Sequence, residues 1–141
     1  NESVNGKTIE ISRNFFAICK QTGSVFYFGE EVDMYKNGKI INHDGAWIAE
    51  GKNKPGIVMP GKISAGAKYY QEIAPGVAMD RAQIISTNLN TTTPAGTFAN
   101  TLKIEETSPL EPNTKEYKLY APGIGLIKDD KLLLTKYGFI K

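Results

Sequence analysis

The chain contains one histidine and one cysteine, and those two residues bound most of the chemistry open to it. His43 stands beside Asp44, which suggests a metal ligand or an acid/base pair. A structural zinc site needs four Cys or His ligands and a catalytic one usually three protein ligands, so His43 would have to recruit carboxylates for the rest. No nearby residue completes such a shell, and a polar residue at a bend before Gly45 accounts for His43 more simply. Cys19 and His43 could form a thiolate–imidazole pair. However, Cys19 closes the apolar run Phe16-Ala17-Ile18, where cysteine behaves as a small buried hydrophobe. Serine-based hydrolysis would also have to use His43, and no Gly-x-Ser-x-Gly elbow exists. Met34, Met59 and Met79 lie in separate segments and read as core filling rather than as a soft-metal site.

Carboxylate chemistry needs no histidine. Glu30-Glu31, Glu105-Glu106 and Asp129-Asp130 are adjacent pairs. Neighbours on a strand point to opposite faces, so none forms a dyad by itself. A working pair would have to come from separate strands, with Glu30, Glu72 and Asp80 as the candidates. Gly123-Ile124-Gly125 lacks the third glycine and the following helix of a dinucleotide-binding turn, and no Walker loop occurs. The residues therefore imply no catalytic group, no metal and no cofactor. Asn1-Glu2-Ser3 and Asn90-Thr91-Thr92 match the glycosylation acceptor pattern, which matters only in a cell that glycosylates exported proteins.

The elements that must position these residues read as short strands. Fourteen Gly and seven Pro are spaced like turn markers between apolar runs. No window sustains helical apolar spacing for three turns. About nine or ten strands are expected. They begin with Lys7 to Cys19, broken around Arg13-Asn14, and Val25 to Phe28. Asn37-Gly38 suits both central positions of a type I′ turn and joins a strand ending near Tyr35 to one running from Lys39 to Ala49, interrupted by Asn42-His43-Asp44-Gly45. Residues 51–66 read as irregular, a lid or a crossover. Tyr69 to Ala74, Val77 to Ser86, Thr97 to Thr107, Glu116 to Tyr120, Ile124 to Lys128 and Leu132 to Ile140 follow, with Thr91 to Gly96 and Pro109 to Asn113 as loops. The expected fold is all-β: an antiparallel sandwich or open half-barrel with little or no helix, in one domain over residues 1–141.

Composition narrows the partners. With 17 Lys and Arg against 15 Asp and Glu, the net charge is +2 and the signs are interleaved. That gives no clustered basic surface for nucleic acid. No run approaches the roughly 20 apolar residues of a spanning helix. The chain starts without Met and shows no signal peptide, so a targeting segment is expected to have been removed or left out.

The segment Tyr117-Lys118-Leu119-Tyr120-Ala121-Pro122-Gly123-Ile124-Gly125-Leu126-Ile127-Lys128 resembles the Tyr-Ala-Pro-Gly-(Val/Ile)-Gly-Leu-Val segment of a family of uncharacterised exported prokaryotic proteins. Further pieces agree in order: Val25 to Glu30, Gly45-Ala46-Trp47, Lys54 to Met59, Tyr70-Gln71-Glu72 and Pro109 to Pro112. The resemblance implies export, hence an extracytoplasmic (periplasmic, secreted or lipid-anchored) location. It also implies a β fold similar to the half-barrels of periplasmic lipoprotein carriers, and room for a leading β segment. It implies no activity and no catalytic residues.

Abundant aromatics without a reactive cluster point to a non-enzymatic binding or accessory protein. The expected site is an apolar, aromatic cleft for a lipid-like or small ligand, with Phe28, Trp47 and Tyr70 as its lining. The alternative is a structural or interaction subunit that engages a partner protein. A carboxylate-dependent hydrolase or lyase is the third reading.

Overall fold

The computed structural model describes residues 1–139. Its described residues contain no helix; the fold is all-β, with two antiparallel sheets and no closed barrel. The expected fold class is thus the observed one. The chain forms two compact units. Unit 1 comprises Asn1–Lys62 and Tyr70–Asp80, and unit 2 comprises Ile63–Tyr69 and Arg81–Lys141.

The first sheet is built on a long hairpin. Strand β1 (Glu2–Val4) pairs with β2 (Lys7–Ile18), which pairs with β3 (Val25–Lys36), which pairs with β4 (Lys39–Asn42). Two short strands, β5 (Trp47–Ile48) and β6 (Gly56–Met59), also pair with β3. The expected break near Arg13-Asn14 is a bulge: the register shifts between Asn14 and Phe16, and β2 continues to Ile18. The β3–β4 turn is at Asn37-Gly38, where both residues have positive φ, 53° and 74°. Such φ values suit Asn and Gly, which is why this dipeptide was legible. The stretch expected to be irregular, 51–66, contributes β6.

The core of unit 1 is small and partly aromatic. Tyr27, Trp47, Ala74 and Ala78 are buried together, with Ala49 and Val58 packed against them. The rings of Tyr27 and Trp47 meet edge to face at 5.3 Å, and Phe16 stacks on Tyr27 at 4.7 Å. Residues 70–80 join this unit through close backbone approach. A Cβ on Gly56 would fall 1.9 Å from the Gln71 carbonyl oxygen, a contact only glycine permits.

The second sheet runs in the order β12-β11-β10-β9-β8-β7. Its strands are β7 (Lys68–Tyr70), β8 (Arg81–Thr93), β9 (Gly96–Ser108), β10 (Glu111–Ala121), β11 (Gly125–Asp129) and β12 (Leu132–Leu133). β8, β9 and β10 are longer than expected. Thr91 to Thr93 belong to a strand rather than a loop, because Thr favours the extended backbone and its hydroxyls pair across the hairpin. Thr91 and Thr101 hydroxyls meet at 2.8 Å, and those of Thr92 and Thr97 at 3.0 Å. The last strand is correspondingly short, and Ile140, its expected end, lies outside the described residues. Phe98, Ala121 and Ile127 form a buried cluster with Leu119, Ile124 and Leu134 against it.

One buried polar pair crosses unit 2. Lys118 Nζ lies 2.6 Å from the Glu106 carboxylate, whose residue is 6% exposed, and 3.7 Å from Asp129. Burial works against the charged ammonium, but the two carboxylates outweigh it and hold the Lys118 pKa above the ordinary lysine range. Its stabilising contribution is therefore complete below the unfolded lysine pKa, about 10.4, and is lost only as pH rises through the higher folded value. Substituting Lys118→Met removes the lysine but leaves the buried carboxylate. We expect a loss of about 3 kcal/mol in urea unfolding at neutral pH. The double variant Lys118→Met/Glu106→Gln should recover much of it. Equal stabilities of the single and double variants would show that the pair does not set this energy.

Candidate functional site

The three residues expected to line a cleft do not share one environment. Trp47 is 4% exposed and belongs to the core of unit 1. Phe28 and Tyr70 are 40% and 43% exposed. The burial of Trp47 follows from the ladder. It lies opposite Glu30 on β3, and its ring fits edge-on against Tyr27, three residues earlier on that strand. An aromatic that fills a core has no ring face left for a ligand. Its indole Nε1 is buried without a hydrogen-bond partner among the described residues.

His43 is an exposed side chain at the bend after β4. Its Nδ1 donates toward the Val32 carbonyl at 2.8 Å and sits 2.9 Å from the Asp33 carboxylate. Those contacts tie the bend to β3. Cys19 is a half-exposed free thiol; hydrogen bonding to the Thr22 side chain and to the Thr22 and Gln21 backbone lowers its pKa. Among the described residues, no group of three or more His, Cys, Asp or Glu side chains could hold a metal ion.

The carboxylates singled out from sequence do gather. Glu30, Glu72 and Asp80 all act on Tyr27, whose pKa burial and these charges push far above the ordinary phenol range. The Tyr27 hydroxyl donates to the Asn14 side-chain oxygen. Burial also raises the Glu30 carboxyl; hydrogen bonding to Tyr27 opposes the rise, and Glu10 and Asp80 add to it. These charges act on one another beside the Tyr27–Trp47 core of unit 1.

A concave surface lies elsewhere, in unit 2. A groove of about 580 Å³ is lined by Leu89, Asn90, Thr91 and Thr92 of β8, Lys103 of β9, Tyr117 and Leu119 of β10, Lys128 of β11, and Asp130. Its volume is within the range of small-molecule sites. Register builds its floor. Ser86 lies opposite Lys103, Lys103 opposite Leu119, and Leu119 opposite Lys128. Directly opposed residues share a face, so this row of side chains projects to one side of the sheet. Ile104 and Lys118, each one residue along, pair with each other on the other side, where Ile104 is fully buried.

Electrostatics distinguish this floor from an ordinary sheet face. Lys103 Nζ lies 4.1 Å from the centre of the Tyr117 ring. The Tyr117 hydroxyl donates to Glu105 at 2.9 Å, and Lys115 bonds the same carboxylate. Those two donors, Tyr117 first, hold the Glu105 carboxyl below its usual range. The salt bridges among the described residues occupy Lys115 and Lys118 but neither Lys103 nor Lys128. The groove thus carries two lysines without carboxylate partners, one carboxylate (Asp130), and a leucine floor. Sequence reasoning missed it because its residues are spread over four strands, and only register brings them into a row.

No family model matches this chain, and no curated protein or solved structure shows significant similarity to it.

The Glu30 environment yields a pH test. A carboxyl whose folded pKa is raised destabilises the fold once ionised. Stability should therefore increase as pH falls from the raised folded pKa toward the ordinary glutamate value near 4.3. Glu30→Gln should unfold at higher urea than the parent at pH 7 and show a flatter profile as pH falls toward the ordinary glutamate value. An unchanged profile in equilibrium unfolding would refute the assignment.

Proposed function

We propose that this chain is a non-enzymatic binding module whose ligand, lipid-like or small, occupies the groove over β8 to β11 rather than the Phe28, Trp47 and Tyr70 positions. The observation that carries this reading is the groove itself: about 580 Å³ of open concavity with Leu89 and Leu119 on its floor and polar groups around it. Small-molecule sites are concave and largely apolar with a few placed polar groups. Export to an extracytoplasmic location is part of the proposal; its support is the set of segments resembling the exported prokaryotic family. Among the described residues, no helix is long and apolar enough to cross a membrane.

The test is direct. Titrating dodecanol or dodecanoate into isotope-labelled protein should give saturable amide shifts at Leu89, Thr91, Tyr117, Leu119 and Lys128. Shifts confined to the Phe28 and Tyr70 regions, or none at all, would remove the groove reading.

A second reading, an interaction subunit, is favoured by β2. On its outer edge, β1 pairs only with residues 7–10. Beyond Glu10, no strand among the described residues pairs with that edge. There Ile11, Phe15, Phe16 and Ile18 are 39%, 36%, 53% and 68% exposed. An open apolar edge templates strand addition. Native mass spectrometry should then show a complex that is lost in Phe15→Lys/Ile18→Lys; a monomer at all concentrations and with all partners would exclude it.

A further inference from the structure

The groove carries more chemistry than an apolar ligand needs. Lys103 and Lys128 flank Leu119 on the two neighbouring strands, both directly opposite it and so on its face. Strands are spaced about 4.8 Å apart, so the two lysine backbones stand roughly 10 Å apart across Leu119. Each side chain is long enough to bring its ammonium over the leucine from its own side. Neither lysine forms an ion pair among the described residues, and Asp130 is the single carboxylate on the groove wall. Opposed to them are apolar surfaces: Leu89, the Tyr117 ring and Leu119, which packs against the Phe98, Ala121 and Ile127 cluster below.

We infer that the ligand of this groove is a single-chain anionic amphiphile. Its carboxylate or phosphate-monoester head sits between Lys103 and Lys128, and its tail runs over Leu119 toward Leu89. The inference rests on the groove being the ligand site. Charge complementarity selects the head: two ammonium groups without carboxylate partners at a half-buried site favour an anion over a neutral hydroxyl. Asn90, Thr91 and Thr92 supply hydrogen-bonding groups at the groove margin. The Lys103 ammonium is already oriented by the Tyr117 ring, so less side-chain freedom is lost when it binds an anion.

The experiment compares dodecanoate, dodecyl phosphate, dodecanol and inorganic phosphate, each below its micellar concentration, by amide shift titration at low and high salt. Dodecanoate and dodecyl phosphate should bind about tenfold or more tightly than dodecanol, with the gap narrowing as salt rises. Lys103→Gln and Lys128→Gln should each remove much of that gap. Lys128→Arg should keep it, and Lys36→Gln on unit 1 should leave it untouched. Equal affinity for dodecanol and dodecanoate, or indifference to Lys128→Gln, would overturn the inference while leaving the groove reading intact. Inorganic phosphate alone matching dodecyl phosphate would overturn the amphiphile and leave a small-anion site. Absence of any groove shift with all four compounds would defeat the groove reading itself.

Discussion

In a sheet whose side chains alternate between two faces, the register between β9 and β10 decides what unit 2 can be. With Lys118 opposite Ile104, the buried side receives an isoleucine with no exposed surface and a lysine matched to Glu106. With Leu119 opposite Lys103, the open side receives a leucine floor and an ammonium over the Tyr117 ring. A slip of one residue would exchange these sets and turn Lys103 into the interior. The buried ion pair thus contributes specificity as well as energy. It penalises the alternative pairing, because each displaced charge would be desolvated alone.

Unit 1 solves a different problem with less apolar material. Its buried cluster combines two aromatic rings with two alanines, and the alanines come from a separate stretch of chain. Edge-to-face contact lets Tyr27 and Trp47 fill the space that larger aliphatic residues would otherwise occupy. Several carboxylates crowd the Tyr27 hydroxyl, so this core is closed by polar groups whose charge states are displaced by burial. Exposed apolar side chains on β2 lie beyond it.

The legible part of the fold was the part written locally. Asn37-Gly38 specifies a turn through its own backbone preferences, and it forms where expected. Gly and Pro spacing marked most chain reversals, and the absence of helical periodicity held throughout the described residues. Strand lengths were not legible, because the Thr- and Asn-rich run before Pro94 looks like a loop in isolation and becomes a strand only when Thr hydroxyls pair across the hairpin. Trp47 marked an important position, but residue type could not distinguish a core anchor from a cleft wall. Lys103 and Lys128 carried no sequence signal. They are separated by two turns and an intervening strand, and bulges such as the shift between Leu119 and Tyr120 make such alignments hard to count from sequence.

The two units are interleaved along the chain: unit 2 opens at Ile63, yet unit 1 is completed only by residues 70–80. Backbone contact at Gly56 ties that late stretch to the earlier one. No single cut therefore releases either unit whole. During synthesis, the first sheet must wait for residues beyond the start of the second unit before its alanine-filled core can close. Neither unit could be moved into another protein as one contiguous piece.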